Sequence, residues 1–228
     1  MFPHRLPQEV DAPSDRPRRT LSSRIIRFDD PCKDERRRVE RFIEDAYAEA
    51  YGGQIHAHYP TLMSVQDEAG VLYAAVGFRH AAEAPLYLEQ YLEGPVEAVL
   101  GQAIGARIDR LHVVEIGGLA SSGQGATVFL FAAMAHHLQK EGLRFAVATA
   151  TDELRRIFHK AGLGALQIAS ADPRRLEDGG GSWGAYYQTD PMVLAGSIEA
   201  ATTALDHFSE AAPVGRAVRT RLHYEDRA

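Results

Sequence analysis

Arg110-Leu-His-Val-Val-Glu-Ile-Gly-Gly-Leu-Ala-Ser-Ser-Gly-Gln-Gly-Ala126 reads as a strand, a glycine-containing turn and the start of a helix. Ile108 to Ile116 is apolar on both faces, the pattern of a central strand covered on each side. Ala126 to Glu141 is apolar nearly all round its first turns, which predicts a buried helix, and Gly142 stops it. Ser121 and Ser122 stand before it as N-cap candidates. The first N–H groups of a helix have no partner within it and attract anions, and glycine lets a phosphate come close. Gly123, Gln124, Gly125 and Ala126 therefore read either as a pyrophosphate cradle or as a plain strand-to-helix turn. A short glycine motif does not choose between these. The segment is neither a Walker loop nor a full G-x-G-x-x-G.

Glu115 sits inside this apolar strand. A carboxylate buried there is unfavourable unless it is paired or functional. Desolvation raises its pKa toward the range of a general base. The alternative is a structural carboxylate that ties down a neighbouring loop through backbone N–H groups. In an extended strand His112 lies on the opposite face and reads as a core histidine. His136 and His137 are adjacent and diverge on a helix, and His56 and His58 show no third ligand, so no metal site is expected. Ser121 and Ser122 lack a G-x-S-x-G elbow.

Outward from this segment, residues 1–22 mix Pro, Arg and Asp without periodicity and read as a flexible arm, with Arg16 to Arg27 a solvated basic stretch. Ile25, Ile26 and Phe28 mark a first strand. Val39, Phe42, Ile43, Ala46, Tyr47 and Ala50 form one helical face, ended by Gly52-Gly53. Thr61 to Val65 and Val71 to Phe78 form a hairpin. Leu86 to Leu92 is open between strand and helix, and Pro95 starts a helix through Leu100. Phe145 to Thr149 is a buried strand, and Thr151 or Asp152 caps a helix ending near Ala161-Gly162. Ala165 to Ala169 and Ala185 to Gln188 are expected as the last strands, flanking the loop Glu177 to Gly181. Ser197 to Phe208 reads as a final helix. The order predicts a single α/β domain over 23–210, a mixed twisted sheet with helices on both faces, and a polar tail over 211–228.

The chain has 228 residues, a net charge of −6 and one cysteine, Cys32. The acidic balance argues against a nucleic-acid partner and against steady attachment to anionic lipid. One cysteine excludes an internal disulfide. The N-terminus has no apolar signal region, and the longest apolar run, Val128 to Ala135, is short of the roughly 20 residues of a membrane helix. A cytoplasmic protein without stable membrane insertion is expected.

The strand, turn and helix with Gly-Gln-Gly-Ala resemble the motif that holds CoA in GNAT acyltransferases. Thr151-Asp-Glu-Leu-Arg-Arg-Ile-Phe-His-Lys-Ala-Gly-Leu163 resembles the later GNAT helix, with Phe158 in place of the tyrosine that often protonates the leaving thiolate. A closer resemblance is to the thermostable hemolysin family. It is carried by Ala48-Glu-Ala-Tyr-Gly52, Leu86-Tyr-Leu-Glu-Gln-Tyr-Leu-Glu-Gly-Pro-Val-Glu97, Val114-Glu-Ile-Gly-Gly-Leu-Ala-Ser121, Ala148-Thr-Ala-Thr151 and Ala171-Asp-Pro-Arg-Arg-Leu176. Trp183-Gly-Ala-Tyr-Tyr187 and Pro191-Met-Val-Leu-Ala-Gly196 complete it. Val-Glu-Ile-Gly-Gly-Leu-Ala is also similar to the Glu-x-Ser-Arg strand of acyl-homoserine-lactone synthases, with Gly118 where the arginine would be.

These resemblances imply a GNAT-like fold and an acyltransferase. Glu115 would take the proton from a small amine acceptor directly or through water, and Leu119, Ala120, Ser121, Gly123, Gln124, Gly125 and Ala126 would hold the pantetheine and phosphates of acyl-CoA or of an acyl carrier protein. Trp183, Tyr186 and Tyr187 read as packing residues, with Tyr187 also a candidate proton donor. A long acyl chain would need an apolar tunnel along Leu86 to Leu100. An acyl-activating ligase is a possible partner. The family name implies haemolysis, so the alternatives are a membrane-lytic protein and a non-catalytic acyl-CoA-binding module.

Overall fold

The computed structural model describes residues 20–123 and 125–209. The sequence-derived tail over 211–228 and Gln124 lie outside the described residues, as does most of the arm over 1–22. The elements are β1 (Leu21–Arg27), α1 (Lys33–Tyr51), β2 (Thr61–Asp67), β3 (Leu72–His80), α2 (Val96–Ile104), β4 (Val113–Ser121), α3 (Ala126–Lys140), β5 (Phe145–Ala150), α4 (Asp152–Lys160), β6 (Ala165–Ser170), β7 (Met192–Ser197) and α5 (Ile198–Ser209). They form a seven-stranded mixed sheet in the order β1-β2-β3-β4-β5-β7-β6. The first four strands pair antiparallel, and β4 pairs parallel with β5. β7 is antiparallel to both of its neighbours, β5 and β6.

Alternation along the strands assigns the two faces. Met63, Val65, Val76, Phe78 and Val114 meet Leu130, Met134 and Leu138 of α3 and Ile198 of α5. On the other face Val39 and Ile43 of α1 pack on Leu62, Ala75 and Ala120. Leu86, Leu88, Leu92, Val96 and Leu100 pack beside them on Val113, Val147 and Val193. The side chains of Leu86, Leu88, Leu92, Val96 and Leu100 are buried in this core, while Tyr87, Gln90 and Tyr91 of the same segment face a cavity described below. The first half of the segment is a short 3-10 helix, Tyr87–Tyr91.

Three local readings are corrected. The strand expected at Ile108 to Ile116 begins at Val113 and runs on to Ser121. Before it, Asp109 accepts the Leu111 N–H and closes a 3-10 turn. Arg110 anchors that turn on Glu89 and Glu97 at 2.6 and 2.7 Å. His112 is thus not on the strand; its Nδ1 lies 3.2 Å from the Gly142 carbonyl. Ser121 and Ser122 do not cap α3, whose N-cap is Gly125 at φ +81°. Ser121 ends β4, and its Oγ accepts from the Gly123 N–H at 3.2 Å and the Thr127 hydroxyl at 2.8 Å. Ala185 to Gln188 belongs to a 3-10 turn rather than a strand. The Ala185 N–H donates to the Tyr51 carbonyl at 2.8 Å, which draws this segment onto the end of α1, and β7 forms only after Pro191.

Arg36 shows how α1 positions the segment leading into β2. It is 7% exposed and donates to Glu40 Oε1 and to the carbonyls of Tyr59 and Pro60. Ser64 of β2 is fully buried, and its Oγ finds no partner among the described residues. An unpaired buried hydroxyl costs about 1–3 kcal/mol. Ser64→Ala is expected to raise stability by about 1 kcal/mol in urea melts; a lower midpoint would contradict this account of β2.

Candidate functional site

β4 and β5 are hydrogen-bonded only from Val113 to Ile116 against Phe145 to Ala148. Beyond that, β4 stays with β3 as far as Ser121, and β5 stays with β7 as far as Ala150. The two parallel strands therefore part at Ile116 and Ala148. Glycine causes it on the β4 side: Gly118 has φ +63°, open to glycine at no steric cost, and β3 shifts register between Ala75 and Gly77 opposite.

The parting joins two cavities. One, of about 370 Å³, lies toward the start of α3 and is lined by Leu119, Ser121, Ser122, Gly123, Thr127 and Leu154 among others. The other, of about 490 Å³, lies toward α1 and is walled by Tyr59, Tyr87, Tyr91, Trp183, Tyr186 and Tyr187. Tyr47, Ile116, Gly117, Gly118, Thr149 and Tyr186 line both. A third, apolar hollow of about 120 Å³ opens under α3 and α5, sharing Val76, Ile116, Phe131, Ala148 and Phe158 with the first.

Of the residues expected to hold a thioester donor, Leu119, Ser121 and Gly123 line the first cavity. The side chains of Ala120 and Ala126 are buried in the cores beneath α1 and α3 respectively, and Gly125 is exposed at the helix start. No Lys or Arg lines this cavity among the described residues, so a phosphate there would rely on the N-terminus of α3. Phe158 packs edge-on against Phe131 and offers no hydroxyl.

Glu115 is 2% exposed, and both of its oxygens are engaged. Oε2 accepts the Tyr87 N–H at 2.8 Å and Oε1 the Leu88 N–H at 2.9 Å. Burial pushes its pKa up, against the opposing pull of those N–H groups, the charge of Arg79 and the neighbouring Tyr59 hydroxyl. Glu115 lines neither cavity itself; Tyr59 connects it to the larger one. The Tyr59 ring lies across Gly77 and Gly117, where any Cβ would overlap it. Burial, with Glu115 alongside, holds the Tyr59 phenol well above its usual pKa, so it stays protonated.

Tyr187 lines the larger cavity, and its hydroxyl lies 2.5 Å from that of Tyr91. Trp183 Nε1 donates to the Tyr87 hydroxyl at 3.0 Å. Burial raises the pKa of Tyr47, Tyr91, Tyr186 and Tyr187, so each is a neutral phenol. Tyr59 and Arg79 escaped the sequence reading. The available signal was a pair of glycines inside two apolar strands, which marks close approach of another group. Among the described residues no three His, Cys, Asp or Glu side chains gather as a metal site, and His58 is bonded to Glu44. No helix there is long and apolar enough to cross a membrane.

A mixed sheet whose central parallel strands part beside a glycine turn and a helix start is the fold of GNAT-like acyltransferases, and the solved structures agree. The AHL synthase LasI is similar at a TM-score of 0.59 and 13% identity, over 82% of this chain and 95% of LasI. BjaI, a CoA-dependent acyl-homoserine lactone synthase solved with SAM and isopentyl-CoA, matches at 0.55 and 10% identity, over 86% and 92%. FeeM, an N-acyl amino acid synthase from uncultured soil microbes, matches at 0.52 and 14%, over 80% and 98%. At these identities the likeness establishes the fold. The chain belongs to the thermostable hemolysin family, whose model matches residues 30–202. No curated protein matches it in sequence.

Proposed function

We propose that this protein transfers an acyl group from acyl-CoA or an acyl carrier protein to a small amine. The observation that carries this reading is the junction of two cavities at the parting of β4 and β5, with Glu115 linked to one of them through Tyr59. The thioester enters along the cavity at the start of α3, and the amine waits in the aromatic cavity. As the amine attacks the thioester carbonyl, its proton passes to the Tyr59 hydroxyl, or to a water beside it, while Tyr59 gives its own proton to Glu115. Glu115 is thus the general base, reached through one intermediary. The tetrahedral intermediate collapses and expels the thiolate. Tyr47, which lines both cavities, is better placed than Tyr187 to protonate that sulfur.

The acyl chain then extends into the apolar hollow under α3 and α5 rather than along Leu86 to Leu100. Ala201 of α5 lines that hollow. Ala201→Phe is expected to shift the acyl-amine products toward shorter chains while turnover of a short donor persists, as read by mass spectrometry with a donor series. An unchanged chain profile would place the acyl chain elsewhere.

The direct test mixes purified protein, acyl-CoA or acylated carrier protein, and a panel of amines, and follows free thiol and acyl-amine together. No thiol release with any pair would refute the transferase. Family haemolysis would in this reading come from a surfactant-like acylated product. Dye release from liposomes by the protein alone would favour a lytic protein instead. α1, the amphipathic helix that such activity would have to release, has Val39 and Ile43 buried against the sheet.

A further inference from the structure

Among the described residues the aromatic cavity has one permanently charged side chain in its wall. Arg79, His56 and His58 line it, and among the described residues no Asp or Glu does. His58 Nε2 already lies 2.8 Å from Glu44 Oε1. Arg79 is different. Its Nη1 donates to the Pro85 carbonyl at 3.1 Å, and its guanidinium carbon sits 5.9 Å over the Tyr59 ring. These contacts orient the guanidinium without neutralising it. Among the described residues no carboxylate pairs with it. Arg36, Arg110 and Arg155 each hold one. Glu115 faces Arg79 across β3 and β4 in register and feels its charge, but its oxygens bond the Tyr87 and Leu88 N–H groups and do not reach ion-pair distance of the guanidinium.

An arginine presents several N–H groups in a planar fork that matches a carboxylate. An unpaired cation beside neutral aromatic walls favours an anionic group and repels a polyamine. Arg79 lies level with Glu115, and Gly117, at the parting, is two residues further along β4. That is about 7 Å at the usual strand rise, a span that one short molecule bridges with help from the arginine side chain.

We propose that Arg79 anchors a carboxylate in this cavity, and that the amine acceptor is an amino acid with an apolar or aromatic side chain. The word acceptor rests on the transferase reading; the binding site does not. The carboxylate lies on Arg79, the side chain lies among Tyr87, Tyr91, Trp183 and Tyr187, and the amine points to Tyr59 and the parting. The competing role for Arg79 is that of a counter-charge to Glu115 alone, which would leave ligand choice untouched.

Trp183 is the only tryptophan in the chain and lines the cavity, so its emission reports occupancy. The full chain is titrated with L-phenylalanine, with phenethylamine, which lacks the carboxylate, and with 3-phenylpropanoate, which lacks the amine. L-phenylalanine is expected to bind about ten-fold to hundred-fold more tightly than phenethylamine, the range of a charge-assisted hydrogen bond pair. Arg79→Gln is expected to erase that preference and Arg79→Lys to keep part of it. Equal binding of L-phenylalanine and phenethylamine to the unaltered protein, or no binding of L-phenylalanine, overturns the proposal, and neither result depends on a variant folding. A preference that survives in folded Arg79→Gln overturns it too. Acyl transfer is measured separately with the same compounds. Tight L-phenylalanine binding without transfer to any amine would refute the transferase and leave the anchor standing. Transfer to phenethylamine as efficient as to L-phenylalanine would refute the anchor and leave the transferase.

Discussion

Glu115→Gln is expected to lower kcat for acyl transfer by about a hundred-fold to ten-thousand-fold, the range of a lost general base. KM for the amine should change less than kcat, because Glu115 lines neither cavity and reaches the amine site only by bracing the Tyr87–Tyr91 turn. The proposed proton transfer through Tyr59 also makes a pH prediction. Burial raises the Glu115 pKa, so the rate should climb with pH as the carboxyl ionises, with an inflection above the usual glutamate value, and then level off. That inflection should vanish in Glu115→Gln, and Tyr59→Phe should lose most of the rate as well. The stability linkage has the opposite sense. A folded-state pKa raised above the unfolded one contributes stability that is complete below the unfolded pKa and is lost as pH rises through the folded one. The ionised form that the proposed base requires is therefore the less stabilising one.

The same carboxylate braces the Tyr87–Tyr91 turn through two backbone N–H groups. A glutamine there turns one acceptor into a donor facing an N–H, which should cost about 1–3 kcal/mol in a chemical melt. The two roles separate cleanly. A brace alone predicts a less stable protein whose pH inflection and per-molecule rate persist; a base predicts the loss of both.

Gly184→Ala should be the most damaging single methyl addition near the site. Gly184 adopts φ +56° and ψ −126°, a conformation essentially reserved for glycine. A Cβ there would overlap the Tyr51 carbonyl oxygen and lie 2.9 Å from the Gly52 carbonyl carbon, both of them backbone atoms that have little room to move. Strain and overlap together should cost at least about 3 kcal/mol. The damage should be local in origin, because the neighbouring N–H of Ala185 and carbonyl of Ser182 tie this loop to Tyr51 and Gln54. Trp183, Tyr186 and Tyr187 would then leave the cavity wall, shifting Trp183 emission to the red and abolishing amine binding. A melting midpoint within experimental scatter of the unaltered protein would contradict this picture of the loop.

The elements legible in advance were those with a local signature. α1 follows from its apolar stripe, the β2–β3 hairpin from alternation around a glycine turn, and α4 from a Thr151 side chain that does accept the Leu154 N–H. β7 was missed because Met192 to Ala195 is a short, fully buried run without alternation. The limits of β4 were misplaced because Arg110 is held by acidic groups 13 and 21 residues away. Glu115 stood out as a carboxylate among apolar neighbours, which is a property of adjacent residues. Its partners did not, because Tyr87, Leu88, Tyr59 and Arg79 reach it only through the sheet.

Residue order alone was enough to establish an α/β chain with a buried central strand, a glycine turn into a buried helix and one suspicious carboxylate. Each of these depends on side-chain spacing within a few residues, where strand and helix geometry convert period into burial. The parting of β4 from β5, the insertion of β7 beside β5, the Tyr59 ring over two glycines and an Arg79 with no carboxylate partner among the described residues came only with the folded chain. They are contacts between segments far apart in sequence, selected by how the whole sheet and its covering helices pack, and no local pattern encodes them.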